Sequence, residues 1–177
     1  MAPANTLRRL LLVVTALLLA APLLRPAMSS ALVTRGDALL FARDARARAK
    51  YALALRFDPG NTVAADRYVF SAFLSRKPSQ LEDAVGVAGA VLRKRPNEAI
   101  LRMDRALCLQ LLRRYALAAR DFELVGRERH DVQALALAAA DQRLGGNAAK
   151  GRQLLLIAAT IDPHYMPVRV ALERDRR

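Results

Sequence analysis

Two patterns of hydrophobic residues divide the chain. Residues 10–24 form an uncharged apolar run, LLLVVTALLLAAPLL. From about residue 31 onward the pattern becomes amphipathic, in runs that are separated by Pro, Gly and Asn. Apolar residues that recur every three or four positions are typical of helices with one buried face, and the separating residues are typical of turns. The pattern therefore predicts one apolar segment followed by a series of amphipathic helices.

The composition favours an all-α fold. The 177 residues include 35 Ala, 31 Leu and 25 Arg, which favour helices, but only 20 of the β-branched residues Val, Ile and Thr. The absence of Trp and the aromatic content of 5% argue against an immunoglobulin-type sandwich or a small β-barrel. A hydrophobic content of 54% and a mean hydropathy of +0.10 exclude an intrinsically disordered chain.

The amino terminus has the pattern of a targeting segment. Arg8 and Arg9 precede the apolar run, and small residues follow it, as in secretory signals. Fifteen helical residues span about 22 Å, which is less than the roughly 30 Å of a bilayer core. Cleavage after Ser29 or Ala31 is therefore expected. The alternative is an uncleaved membrane anchor, because apolar residues resume after Arg25 as far as residue 33.

Both alternatives place the rest of the chain on the extracytoplasmic side of a membrane, in the periplasm or cell envelope. The flanking arginines do not set the orientation of an anchor, since Arg25, Arg35 and Arg43 on one side offset Arg8 and Arg9 on the other. We accordingly divide the chain into residues 1–30, a signal peptide or single anchor, and residues 31–177, a helical domain.

A repeated pattern organises residues 31–177. Pro59, Pro96 and Pro163 each follow a helical run, and they lie 37 and 67 residues apart, the second interval being close to twice 34. A small residue stands twelve positions before each proline, a small or apolar residue eight before it, and a small or β-branched residue five before it. The missing copy has His130 in place of proline. Four copies in register indicate a true internal repeat.

Spacing and residue type resemble the tetratricopeptide repeat (TPR), a helix–turn–helix of 34 residues that ends in proline. The resemblance implies an α-solenoid of about four TPR-like repeats with a C-terminal capping helix over residues 165–177. The matching residues are Ala47, Tyr51, Ala54, Pro59, Ala84, Pro96, Ala106, Tyr115, Ala118, Phe122, Ala158 and Pro163.

Some positions depart from the TPR pattern. Arg102 and Arg105 stand where the family prefers Trp and Leu. The second copy has about three extra residues, which we assign to the turn at residues 76–80. The fourth copy is one residue short, which we assign to the turn at residues 145–147. These departures alter the details of the expected groove while the repeat class is retained.

No catalytic constellation is visible, so we predict neither enzymatic activity nor a cofactor or metal site. Cys108 is the sole cysteine and lies among Leu and Ala, as a small buried residue would. His130 and His164 fall at turns between repeats, and their spacing is unsuited to a zinc pair on one helix.

The formal net charge of +13 favours acidic partners, anionic membranes or nucleic acid. Clusters such as Arg43, Arg46 and Lys50 fit a solvated helix face better than a nucleic-acid site, because no stacking aromatic residues or known motif accompany them. The Arg-rich composition equally fits a GC-rich coding sequence.

The TPR resemblance implies a protein-interaction scaffold whose first helices hold a segment of a partner. In the third copy this assigns partner binding to Ile100, Met103, Leu107 and Gln110, which are spaced for one helix face and favour an apolar or amphipathic partner helix. The same residues could instead belong to the core. The alternative function is an electrostatic binder of an acidic polymer, nucleic acid or an anionic membrane surface.

Overall fold

A computed structural model describes the backbone of residues 3–175 and the side chains of residues 24–175, together with those of Arg9, Leu12 and Thr15. Within those residues the chain is all-helical and contains no strand. The helices are α1 (Pro3–Phe41), α2 (Arg46–Phe57), α3 (Thr62–Ser75), α4 (Pro78–Lys94), α5 (Ala99–Leu111), α6 (Tyr115–Arg129), α7 (Val132–Leu144), α8 (Ala148–Ile161) and α9 (Met166–Arg174). The predicted all-α class is thus confirmed.

The chain forms two compact units, residues 1–67 and 68–177. In the first unit, the carboxyl-terminal half of α1 packs against α2. Tyr51 is fully buried there, and its ring lies so close to Gly36 that any added Cβ would overlap it. The Tyr51 hydroxyl donates to Asp37 Oδ1 at 2.8 Å. Gly36 therefore allows the two helices to approach closely.

In the second unit, each helix from α4 to α9 packs against the next one along the chain. The main core joins α5, α6, α7, α8 and α9 through a close-packed mixture of small and large apolar residues. Gly126 allows α6 and α7 to approach closely, since a Cβ at this position would lie 2.6 Å from Leu135 Cγ. The fully buried members of this core include Ala106, Ala118, Phe122, Leu135, Ala158 and Val168.

The residues that match the TPR pattern fall into two groups, buried residues within the helices and exposed prolines in the turns. Ala47, Tyr51, Ala54, Ala84, Ala106, Ala118, Phe122 and Ala158 are buried, Tyr115 is half-buried, and Pro59, Pro96 and Pro163 are exposed in the turns. Small buried residues let paired helices pack closely, while the prolines lie beyond helix ends where their missing N–H does no harm.

Five turns between helices use a left-handed residue to end the preceding helix. Arg43, Arg76, Arg113, His130 and Gly146 have φ of 56°, 54°, 58°, 53° and 85°. After all of them except Arg76, the next residue's N–H donates back across the turn, as Arg114 N does to Leu109 O at 2.8 Å. This is the Schellman geometry, in which glycine is preferred and arginine is strained.

The structure places both the extra residues of the second copy and the missing residue of the fourth copy at positions other than those assigned from the sequence. The extra residues of the second copy form a first helical turn of α4, which begins at Pro78, so the turn before it is only residues 76–77. The missing residue between the third and fourth copies is accounted for by the turn at residues 130–131. This turn has two residues, whereas the other inter-repeat turns have four. His130 adopts φ 53° there, and Asp131 N donates to Gly126 O at 3.0 Å.

Helix α1 continues without interruption across residue 30, the boundary expected from the sequence. Most side chains of the apolar run at residues 10–24 lie outside the described residues. Across the part of the chain that the structure does describe, we find no helix whose length and hydropathy suit a membrane crossing.

Candidate functional site

The four residues predicted to bind a partner lie on α5, and their exposure differs. Ile100 is 68% exposed, whereas Met103, Leu107 and Gln110 are half-buried. Met103 and Leu107 pack against the main core. The structure therefore brings the four residues to one side of α5, with Ile100 projecting furthest and the two central residues shared between surface and core.

Gln110 connects α5 to α7. Its Nε2 donates to both carboxylate oxygens of Asp141, at 2.9 and 3.0 Å. The sequence gives no hint of this pairing, because the two residues belong to different copies. Gln110 is consequently held in place and forms one end of the surface.

Asp141 is fully buried, although it is an ionisable residue. Burial raises the pKa of Asp141 to about 6, and the hydrogen bond from Gln110 acts in the opposite direction. A carboxyl group with this pKa changes its charge close to neutral pH, at the junction between two helices of the candidate surface.

The equivalent positions of α7, one copy later, line a cleft of about 310 Å³. Gln133, Ala136, Ala140 and Arg143 stand 33 residues after the four α5 residues and all contribute to its wall. The rest of the wall is largely apolar and comes from α8, α9 and the turn between them, with Leu155, Tyr165, Pro167 and Ala171 among the lining residues. The same face is thus accessible in two successive copies.

The carboxyl-terminal part of α3 adds aromatic residues at the same register. Phe70 and Phe73 stand 37 residues before Leu107 and Gln110. Both rings are half-buried and stacked, with centroids 6.4 Å apart. The carbonyl oxygen of Val69, which precedes Phe70, accepts a hydrogen bond from Cys108 Sγ of α5 at 3.8 Å. We call the face made by residues 70–73, the four α5 residues and the four α7 residues the inner face.

Away from the inner face, charged groups pair between helices in ways the sequence did not reveal. Glu123 of α6 accepts from Lys150 of α8 at 2.8 Å and from Arg127 at 3.0 Å. Burial acts to raise the pKa of Glu123, but the bonds from Lys150 and Arg127 together lower it. Asp121, also of α6, pairs with Arg105 of α5.

The remaining candidates for chemistry have structural positions. Cys108 is fully buried, as its sequence context indicated. His130 and His164 are exposed in turns, and the backbone N–H of His164 donates to Asp162 Oδ1 at 2.8 Å. Among the residues that the structure describes, no group of three or more His, Cys, Asp and Glu side chains could hold a metal ion.

Comparison with known proteins gives a structural likeness. No protein-family model matches the chain, and no curated protein is similar to it at a significant level. Among solved structures, "MamA RS-1 ArsTM double mutant" matches with a TM-score of 0.69 at 18% identity, covering 82% of this chain and 81% of that chain. MamA is a TPR-containing protein. The likeness, together with the all-helical structure, shows a TPR-like helical-repeat fold.

Proposed function

We propose that this protein is a non-catalytic scaffold that binds an apolar or amphipathic helix of a partner protein on the inner face. The observation that supports it is the recurrence of accessible apolar residues at equivalent positions of three successive first helices. These residues are Phe70, Phe73, Ile100, Met103, Leu107, Ala136 and Ala140.

The chemistry of this face suits a helix better than an extended acidic peptide. A bound amphipathic helix presents residues at intervals of three and four, which match the 3, 4 and 3 spacing on α5. Gln110, the polar member on α5, already donates to Asp141. Apolar contact is therefore the main attraction that the α5 surface offers.

We also propose that the scaffold is extracytoplasmic and that its amino-terminal segment is retained as an anchor. Ser29, at one expected cleavage position, is fully buried in the first unit. Its hydroxyl donates to Ala54 O at 3.0 Å and accepts from Asn61 Nδ2 at 2.9 Å. Cleavage after Ser29 would separate this residue from the rest of the chain and remove both bonds, which favours retention.

Crosslinking in cells, followed by mass spectrometry, tests the binding surface. Ile100→Asp places a charge at the most exposed of the four α5 residues without disturbing the core, and we expect it to reduce partner recovery at least about tenfold. The matched control is Leu156→Asp on α8, an aliphatic residue that is 50% exposed and lies outside the inner face. Equal recovery by both variants would refute the assignment of the inner face.

Two further measurements complete the test. Recovery that survives Ile100→Asp but falls steeply with salt would indicate the electrostatic binder instead, since screening weakens exposed charge pairs. The mass of the mature protein decides retention, because cleavage after Ser29 or Ala31 would remove the whole apolar run. A mature chain beginning at either following residue would refute the anchor.

A further inference from the structure

A second cleft, of about 270 Å³, lies between α4, α5 and α6 on residues that the inner face does not use. Its volume is just below the range of about 300–1,000 Å³ that is typical of small-molecule sites. Four aliphatic side chains, Val85, Leu109, Leu117 and Leu124, line it together with four charged ones, Arg102, Arg105, Arg120 and Asp121. The wall is thus half apolar and half strongly charged.

Asp121 is the single acidic residue of this lining. Arg105 binds it through two parallel bonds, Nε to Oδ2 at 2.7 Å and Nη2 to Oδ1 at 2.5 Å. Arg102 Nη1 lies 3.5 Å from Asp121 Oδ1, and Arg102 Nη2 donates to Pro96 O at 2.5 Å. One carboxylate therefore pairs with two guanidinium groups, Arg120 adds a third to the wall, and the lining residues carry a formal excess of two positive charges.

Burial makes that excess of positive charge costly. The side chains of Arg102 and Arg105 are 12% and 21% exposed, and that of Asp121 is 4% exposed. Charge repulsion between partly desolvated guanidinium groups is screened poorly, so an added anion gains more there than on an open surface. Arginine also presents planar pairs of donors that match carboxylate and phosphate oxygens.

We propose that this cleft binds a small organic oxyanion, a carboxylate or phosphate monoester carried on an apolar group. The oxyanion contacts Arg120 and those N–H groups of Arg102 and Arg105 that are not directed at Asp121 or Pro96 O. The apolar group lies against Leu109, Leu117 and the neighbouring aliphatic side chains. The site is independent of partner binding on the inner face.

Three probes separate the two halves of this proposal: phenyl phosphate, inorganic phosphate and phenol, each titrated into the full chain by calorimetry at constant ionic strength. We expect phenyl phosphate to bind most tightly, inorganic phosphate more weakly, and phenol without measurable heat. Inorganic phosphate that binds as tightly as phenyl phosphate would overturn the apolar half of the site. An absence of phenyl phosphate binding would overturn the site altogether.

A pair of arginine variants separates the cleft from general attraction to a basic protein. Arg120→Gln removes an exposed cation of the cleft, and we expect it to weaken phenyl phosphate binding by about tenfold, the loss of one charge-assisted bond. Arg152→Gln removes an exposed cation on α8 that lies outside the cleft and should change the affinity by less than twofold. An equal loss in both variants would refute a specific site.

Discussion

Replacing Asp141 by Asn should stabilise the protein at neutral pH. Asp141 is fully buried in α7 and accepts two hydrogen bonds from Gln110. Burial raises the pKa of its carboxyl group from 3.8 to about 6, so folding at pH 7 requires a negative charge in a poorly solvated position. An Asn side chain has nearly the same shape, still accepts from Gln110 through its carbonyl oxygen, and carries no charge.

The size and pH dependence of the effect follow from the two pKa values. Below pH 3.8 the carboxyl is neutral in both states, and between pH 3.8 and 6 only the unfolded chain loses the proton. The free energy of unfolding then falls by about 1.4 kcal/mol for each pH unit in this window. Above pH 6 the loss is complete, and it amounts to about 3 kcal/mol relative to an Asp with an unshifted pKa.

Urea unfolding of the wild type and the Asp141→Asn variant, compared at several pH values from 4 to 8, measures this difference. The variant should be about 1–3 kcal/mol more stable above pH 6, and the advantage should shrink as the pH approaches 4. Other titrating groups cancel because they are common to both proteins. The control Glu82→Gln, an exposed carboxylate paired with Arg114, should show a small difference without that pH profile. A wild type that exceeds Asp141→Asn in stability at pH 8 would refute the reasoning.

Three further substitutions test the packing of the helices, each by urea unfolding. Arg113→Gly should stabilise the protein by about 0.5–1 kcal/mol, because arginine is strained at φ 58° and glycine is not; a loss of stability would contradict this. Gly126→Ala should cost about 1–3 kcal/mol by forcing a Cβ against Leu135, whereas the control Gly86→Ala, in open space, should be neutral or stabilising. Ser29→Ala should cost about 1–2 kcal/mol by removing two hydrogen bonds of the first unit, and an unchanged midpoint would show that these bonds are unimportant.

Sequence periodicity predicted the helices because the repeat encodes them locally. Each proline at an inter-repeat turn marks a place where a helix must end, and the small residues before it mark close packing. The exact positions of the extra and missing residues could not be predicted from the sequence. Counting between Phe122 and Leu155 shows that one residue is missing, but many positions between them give the same count. The backbone resolves the question: of the two turns between these residues, the one at residues 130–131 is shorter than its counterparts between the other repeats.

The candidate site was predicted in part. The spacing of Ile100, Met103 and Leu107 identified a common helix face, since that depends on a single helix. The partnership of Gln110 with Asp141 depends on how two helices of different copies are placed, and no local pattern carries that information. The departures at Arg102 and Arg105 were visible as unusual residues, but their shared carboxylate on α6 was not.

The left-handed arginines lie at hairpin tips, the turns that join the two helices of a repeat, and there they make the opening of each helix pair detectable by proteolysis. Arg43, Arg76 and Arg113 are all exposed and lie at turns, where trypsin cleaves most readily. Cuts after these residues would release fragments of 33 and 37 residues, each extending from one hairpin tip to the next. The order in which these fragments appear in a native digest would therefore rank the hairpins by the ease with which each one opens.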